Sequence, residues 1–323
     1  MSKQLFDMEK FQEQGYLVAR DVLDPEEDLA PVFTEYEDLL DRLSRTWLER
    51  GTISDAFEGL PFNERVVQIA IATRGNYYPH VDISFTQTDV EKKMPVHTGP
   101  AVFNVLRSPR LLDAVEQFIG PEIYCNPVQH VRIKPPESAL PEEMLSDSSV
   151  GYTAWHQDQG VIIPEADDSD ILTVWLPVIE ATEENGCMSV VPGSHRSGLA
   201  PHCPAKPELK HVHILEERLG GEATPVPLKP GDVLFMHKLT MHCSLPNRSN
   251  DIRWSFDLRY NPIGQATGRP WFPGFVARSR ANPDSVLSDP EEWATLWERA
   301  GEALAKGPTP VYNRWKPGDP LCA

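Results

Sequence analysis

The residues best suited to chemistry lie in the segment Trp155-His-Gln-Asp-Gln-Gly, which sets His156 and Asp158 two positions apart. In an extended chain such residues project from one face, so an imidazole nitrogen and a carboxylate oxygen can reach one metal ion. Two histidines and one carboxylate on one face of an octahedral iron(II) leave three positions open. The chain has 10 histidines, so this pair alone would favour a surface His and Asp over a metal site.

A second block supplies the missing partner, because His242 stands eleven residues before Arg253 across a polar turn. Two antiparallel strands joined by that turn would bring His242 to the metal and Arg253 to its open face. The planar guanidinium fork of Arg253 can bind both oxygens of a carboxylate, and Ser255 could add a hydrogen bond on the same strand face. The alternative is a surface Arg253 paired with Asp251 or Asp257.

Other histidines compete less well for the metal. His237 lies five residues before His242, but the spacing to Arg253 favours His242. His195, in a Pro-Gly-Ser-His turn, is better suited to organising that turn. His211 and His213 form an HxH pair without an accompanying carboxylate, which is typical of a solvated pair.

The elements that carry these residues are predicted as helices followed by a series of short strands. Apolar spacing predicts mainly helix over residues 6–48 and further helices at Pro109–Ile119 and Pro290–Leu304. Strands are predicted at 128–134, 171–178, 187–191, 232–237 and 253–260. This order favours a mainly β fold, a sandwich or jelly roll covered by helices. Residues 135–150, rich in proline and acids, are expected to form a long mobile loop.

Length and composition narrow the class of protein. The 323 residues are 40% hydrophobic and 24% charged, with a formal net charge of −18, which argues against a nucleic acid partner. No window is apolar enough to span a bilayer, and the polar start lacks an apolar signal core, so we expect a cytoplasmic protein without a membrane partner. The five cysteines are odd in number and form no CxxC pair, which disfavours a disulfide framework and a structural zinc site.

Three ordered blocks resemble the signature blocks of the phytanoyl-CoA dioxygenase family. They are Trp155-His-Gln-Asp, Asn185-Gly-Cys-Met-Ser-Val-Val-Pro-Gly-Ser-His195 and His242-Cys-Ser-x-x-Asn247-x-Ser249-x-x-x-Arg253, and the opening from Phe11 also resembles the family's start. The resemblance implies a double-stranded β-helix (jelly-roll, cupin-like) core. It implies Fe(II) held by His156, Asp158 and His242, with 2-oxoglutarate and O2 as co-substrates and Arg253 as the 2-oxoglutarate anchor.

Further residues follow from the resemblance. A polar residue on the strand before the HxD block often touches the co-substrate in this family, and here the candidates are Gln129 and Lys134. Thr173 and Trp175 lie on the strand that commonly walls the same pocket. Tyr78 and His80, in an expected aromatic loop, and Gln159 are the candidates for the substrate pocket, with a packed loop as the alternative.

Two departures from the family pattern stand out. The segment between Lys134-Pro-Pro and the HxD block is long and acidic, which should alter the substrate entrance. The residue after the distal histidine is Cys243, where the family usually has Gly. We expect one catalytic domain over residues 1–323, with a helix-rich part (1–122), a jelly-roll core (123–262) and a C-terminal extension (263–323).

The expected activity is hydroxylation of an unactivated C–H bond in a small organic metabolite, with release of succinate and CO2. The same ligands would serve desaturation, cyclisation or epoxidation, whereas Asp158 argues against halogenation because such halogenases replace this carboxylate with a small residue. A cupin-type zinc or manganese enzyme and a non-catalytic metal-binding jelly-roll protein are the rivals. Neither the substrate nor the oligomeric state can be read from the sequence, and the roles of 135–150 and 269–280 stay open.

Overall fold

The computed structural model describes residues 5–85, 95–145, 151, 153–204, 212–308, 310–312, 314–316 and 318–322. Within these ranges the helices are α1 Met8–Gln14, α2 Ala30–Glu49, α3 Phe62–Ala72, α4 Tyr78–Val81, α5 Pro100–Leu106, α6 Pro109–Ile119, α7 Glu142–Leu145 and α8 Pro290–Leu304. The strands are β1 Tyr16–Ala19, β2 Ile123–Lys134, β3 Leu172–Pro177, β4 Met188–Val190, β5 Cys203–Pro204, β6 Val212–His213, β7 Thr224–Val226, β8 Val233–His237, β9 His242–Ser244, β10 Arg253–Pro262 and β11 Phe275–Arg278.

Two antiparallel sheets form the framework of the described chain. A six-stranded sheet has the order β1-β8-β3-β10-β2-β11, and a three-stranded sheet has the order β7-β4-β9. The HxD segment extends the smaller sheet, because His156 forms an isolated antiparallel bridge with His242 on β9. A short β5-β6 pair lies apart from both sheets. The predicted mainly β fold with flanking helices is confirmed.

Alternation along β10 separates the apolar core from the polar interior. Trp254, Phe256, Leu258 and Tyr260 belong to the main apolar cluster, together with buried residues of α2, α5 and α6. Because neighbouring strand residues point to opposite faces, the residues between them face the space between the two sheets. These interior residues are Arg253, Ser255, Asp257 and Arg259. One strand therefore delivers two arginines and a carboxylate to the interior.

The edges of the large sheet come from outside residues 123–262. The helix expected over 6–48 is interrupted by β1, which pairs with β8, and a π-helical turn at Pro25–Leu29 precedes α2. At the other edge β11 pairs with β2. β1 is too short to show an alternating pattern within a helical background, and its place is fixed by β8. The predicted bounds of α6 and α8 are confirmed.

Two expected loops contain helical turns. Tyr78 and His80 lie in α4 and not in a loop, because Pro79 begins the turn and Tyr78 is buried. Within 135–150 the structure has a turn at Glu137–Ala139 and α7, while residues 146–150 lie outside the described residues. No helix in the described part of the chain is long and apolar enough to cross a bilayer.

The expectation about cysteines is wrong at one pair. Cys203 and Cys322 form a disulfide across 119 residues, while Cys125, Cys187 and Cys243 are free and buried. The spacing gave no sign of this pair, because it depends on how the C-terminal segment returns to β5. Arg218 Nη1 also donates to the Leu321 carbonyl at 2.6 Å. The disulfide and this hydrogen bond therefore hold Leu321 and Cys322 beside β5.

This disulfide generates a prediction about stability. Cys322→Ser should lower the free energy of unfolding by about 2–5 kcal/mol, because the link restricts the unfolded chain. Thermal unfolding with and without a reductant checks it. The reductant should lower the melting temperature of the wild type to that of the variant and leave the variant unchanged. If the reductant left the melting temperature of the wild type unchanged, the result would contradict the disulfide between Cys203 and Cys322.

Candidate metal centre and co-substrate cavity

The structure gathers His156, Asp158 and His242 into one cluster. One ligand atom from each lies within 4.8 Å of the others. The backbone bridge sets this spacing, since His156 and His242 exchange two N–H to carbonyl hydrogen bonds of 2.9 Å. The two imidazole rings are consequently neighbours, with centroids 4.2 Å apart. Within the described part of the chain, this cluster has the donor set and spacing of a metal site.

Both imidazoles are oriented with one nitrogen free for a metal. The Nδ1 hydrogen of His156 donates to the Ala154 carbonyl at 2.9 Å, and that of His242 donates to the Thr240 carbonyl at 2.9 Å. These bonds fix the tautomer, so each Nε2 presents a lone pair. Burial, aided by the neighbouring His242, lowers the pKa of His156 to about 3. His156 is therefore neutral at physiological pH, as a metal ligand must be.

Asp158 is held by two further side chains. Arg259 donates to its Oδ1 and Thr173 donates to its Oδ2, and all three residues are buried. Burial alone would raise the pKa of Asp158, but the charge of Arg259 and the two imidazoles hold that pKa well below its usual value. The carboxylate thus stays ionised and keeps lone pairs for a cation.

Gln157, between the two ligands, fixes the HxD segment from behind. Its side-chain Nε2 donates to the carbonyls of Gly198 at 2.9 Å and Leu239 at 2.7 Å. Its backbone N–H donates to Nε2 of His202 at 2.8 Å. Burial lowers the pKa of His202 to about 4, which keeps that imidazole a neutral acceptor. The segment carrying His156 and Asp158 is therefore rigidly placed.

A cavity lined by both histidines of this cluster also reaches Arg253. It is lined by Arg132, Thr153, His156, Thr173, Trp175, Met188, Met236, His242, Ser244, Arg253, Asp257 and Arg259. The predicted residues Thr173, Trp175 and Arg253 thus share one cavity with the histidines.

Arg253 lines this cavity and is buried, with 1% of its surface exposed. Its Nη1 donates to Ser255, its guanidinium carbon lies 5.8 Å from the centroid of the Trp175 ring, and its Nε has no partner. Burial lowers the pKa of Arg253 to about 10, so it remains charged at neutral pH. Within the described chain it forms no ion pair, because the neighbouring Asp257 is bound by Arg132 at 2.7 Å. A buried cation without a carboxylate is suited to an anionic ligand.

Lys134 holds two hydroxyl side chains of the cavity wall. Lys134 Nζ donates to the hydroxyls of Thr153 at 2.8 Å and Ser244 at 3.0 Å. Burial, with Arg253 and Arg132 nearby, lowers the pKa of Lys134 well below its usual value. Ser244 lines the cavity itself, whereas Ser255 supports Arg253 and is not among the lining residues. Ser244 lies two residues after His242, a spacing that signals the same strand face.

Several predicted residues lie away from the cavity lining. Gln129 faces the opposite side of β2, where its amide donates to the Ile83 carbonyl at 3.3 Å, so the structure does not bring it to the co-substrate cavity. His80 packs against the Trp47 ring at 5.2 Å. Tyr78 is buried and accepts a hydrogen bond from Arg132 at 3.4 Å, one residue behind the lining. Gln159 follows Asp158 and borders a separate small cavity, which Asp158 also lines.

The rival histidines have other contacts. His237 accepts a hydrogen bond from the Leu239 N–H at 3.1 Å and lies against the His195 ring. His195 donates to the Gln12 carbonyl at 3.0 Å, as expected of a residue that organises a turn. His213 is half-buried on β6, and His211 lies outside the described residues.

Four residues of the site gave no motif of their own in the sequence. Arg132, Arg259, Thr153 and His202 reach the site through strand register and chain folding. Only Arg259 had a usable signal, because it follows Arg253 by six residues and so shares its strand face.

Comparison with curated proteins finds hydroxylases and dioxygenases at low identity. The chain is 26% identical over 277 residues to the 1-deoxypentalenic acid 11-beta-hydroxylase of Streptomyces arenae, covering 81% of this chain and 83% of that enzyme. It is 23% identical over 254 residues to the peroxisomal phytanoyl-CoA dioxygenase of Homo sapiens, covering 77% of this chain and 66% of that enzyme.

Solved structures share the fold. A non-heme monooxygenase, ThoJ in its apo form, matches with a TM-score of 0.53 and 18% identity, covering 92% of this chain and 98% of its own. EvdO2 from Micromonospora carbonacea var. aurantiaca, complexed with 2-oxoglutarate, matches with a TM-score of 0.52 and 19% identity, covering 84% and 99%. With the sheet order described above, these matches assign the double-stranded β-helix core expected from the resemblance.

The family model described as Phytanoyl-CoA dioxygenase (PhyH) matches residues 11–255, a region that contains both histidines, the aspartate and Arg253. The chain therefore belongs to the phytanoyl-CoA dioxygenase family.

Proposed function

We propose that this iron(II)- and 2-oxoglutarate-dependent oxygenase hydroxylates an unactivated C–H bond of a small organic metabolite, releasing succinate and CO2. The reaction class follows from the family, whereas the hydroxylation and the kind of substrate are our inference. The observation that carries it is one cavity lined by both histidines of the His-Asp-His cluster and by Arg253, which is buried and forms no ion pair with a described residue.

The donor set fits iron(II), and the chain's residues have distinct tasks around it. His156, Asp158 and His242 would hold the ion, which when bound couples oxidative decarboxylation of 2-oxoglutarate to oxidation of the substrate. Arg253 would bind the distal carboxylate of 2-oxoglutarate, and Ser244 offers a hydroxyl beside it. Thr173 and Arg259 keep Asp158 ionised and oriented, while Trp175 and the two methionines of the cavity wall exclude water.

The rival functions are less well supported by these contacts. A binding protein without activity has no use for a buried cation at Arg253, which costs several kcal/mol unless an anion compensates it. Asp158 supplies a carboxylate where a halogenase would lack one. Desaturation, cyclisation and epoxidation use the same ligands, so identification of the product from a converted substrate decides among them.

We further propose one catalytic domain acting on a small molecule in the cytoplasm. The main apolar cluster includes residues from 1–122, from 123–262 and from 263–323, which supports one domain. The acidic net charge of −18 supports the absence of a nucleic acid partner. A disulfide is unusual in the cytoplasm, so alkylation of Cys203 and Cys322 in acid-quenched cells tests the location.

Succinate formation tests the proposed activity. Wild type loaded with iron(II) should form succinate from 2-oxoglutarate under oxygen, even without primary substrate. His156→Ala should abolish it. Arg253→Ala should reduce it about 10- to 100-fold at low 2-oxoglutarate, because charge-assisted hydrogen bonds contribute about 1.5–3 kcal/mol.

Arg45→Ala is the matched control, since its side chain is 61% exposed and pairs with Glu58 far from the cavity. This variant should retain the wild-type rate. Wild-type protein that binds iron and 2-oxoglutarate but forms succinate only with a metabolite extract would support the activity. Equal rates in the wild type and Arg253→Ala would contradict the role of Arg253.

A further prediction concerns the contact of Arg259 with Asp158. Arg259→Met should weaken metal binding about 10- to 100-fold, as is usual when a partner of a metal ligand is removed. Titration with iron(II) or zinc(II) under nitrogen measures the dissociation constant. Arg45→Met provides the control, and unchanged affinity in Arg259→Met would show that Asp158 needs no such support.

A further inference from the structure

Arg269 is a second buried guanidinium near the metal centre. It is 1% exposed, and it forms no ion pair with any described residue. Its Nη2 donates to the Val161 carbonyl at a long 3.4 Å, while Nε and Nη1 have no partner. Burial lowers the pKa of Arg269 to about 10, so it is still charged at neutral pH.

The neighbouring acidic groups are already bound by other residues. Asp158 pairs with Arg259, and Asp82 binds Nδ1 of His130 at 2.8 Å. In the proposed function, the distal carboxylate of 2-oxoglutarate compensates Arg253. Among the described arginines around the metal centre, Arg269 is then left without an anion.

Aromatic rings compensate this charge only in part. The guanidinium carbon lies 4.8 Å from the Tyr312 ring centroid and 5.8 Å from that of Phe272. Such contacts compensate a buried cation less than a hydrogen-bonded carboxylate does. The Tyr312 hydroxyl is also buried without a partner. With the Tyr312 ring against Arg269, donors of Arg269 and of Tyr312 therefore have no hydrogen-bond acceptor among the described residues.

Arg269 is joined to the turn that begins at the proposed metal ligand Asp158. Val161, its hydrogen-bond acceptor, ends the turn Asp158–Val161 that begins at the proposed metal ligand. The preceding Gly268 accepts a hydrogen bond from the Ile163 N–H at 3.2 Å, which ties the two segments together. Arg269 does not line the co-substrate cavity. It therefore contacts the turn that carries Asp158 without lining the space assigned to 2-oxoglutarate.

We propose that Arg269 binds an anionic group of the primary substrate, a carboxylate or a phosphoryl group. This inference rests on the proposed function and specifies its substrate class. The anion would displace the Tyr312 ring and accept hydrogen bonds from the free N–H groups of the guanidinium. The planar guanidinium can bind two oxygens of a carboxylate or of a phosphoryl group. Charge-assisted hydrogen bonds then replace a weaker contact between the cation and the ring.

Thermal unfolding of zinc(II)- and 2-oxoglutarate-bound protein tests this role with acetate and phosphate as probes. Bound 2-oxoglutarate keeps the probes from Arg253. Arg269→Met should melt at or above the wild-type temperature, because it removes an uncompensated buried charge at similar volume. Arg259→Met, in which Asp158 loses its partner, should melt lower and serves as the comparison.

At equal ionic strength against chloride, acetate or phosphate should raise the melting temperature of the wild type by several degrees and that of Arg269→Met by less. A rise with acetate alone indicates a carboxylate, and a rise with phosphate alone indicates a phosphoryl group. The proposal would be overturned if Arg269→Met melted as low as Arg259→Met. It would also be overturned if each probe raised the melting temperature of Arg269→Met as much as that of the wild type. If zinc(II) and 2-oxoglutarate do not stabilise the wild type at all, the proposed function fails instead.

Discussion

The antiparallel bridge between His156 and His242 is the interaction on which the metal centre depends. Two backbone hydrogen bonds of 2.9 Å join residues that are far apart in sequence and set their imidazoles side by side. Asp158 then reaches the same point because it lies two residues beyond His156. Gln157 and His202 hold the segment from the other side, so hydrogen bonds within the protein fix the spacing of the ligands. Such preorganisation lowers the cost of assembling the site.

The interior between the two sheets is unusually rich in cations. β10 contributes Arg253 and Arg259, and β2 contributes Arg132 and Lys134, all buried or nearly so. Two carboxylates, Asp158 and Asp257, neutralise part of this charge. The remaining positive charge favours an anionic co-substrate, although the chain as a whole has a formal net charge of −18. Local arrangement rather than total charge therefore determines what binds there.

Sequence reasoning found what is encoded locally and missed what depends on register. The HxD spacing, the distance from His242 to Arg253 and the apolar stripe of α6 are local signals, and the structure brings their residues to the expected places. Gln129 and Lys134 both lie on β2, but strand alternation sends only Lys134 toward the interior. Ser255 accepts a hydrogen bond from Arg253, and Ser244 lines the cavity, a position that depends on strand pairing and not on a local pattern. The link between Cys203 and Cys322 depends on the path of the C-terminal segment, which no local pattern encodes.

The most direct test of the central claim is the visible charge-transfer absorption that forms when iron(II) and 2-oxoglutarate bind together under nitrogen. The wild type should develop this band, His242→Ala should lose it, and His237→Ala should retain it. The last two variants differ only in which of two histidines five residues apart is removed. A band that survives in His242→Ala and disappears in His237→Ala, or one that never forms in the wild type, would contradict the metal centre described here.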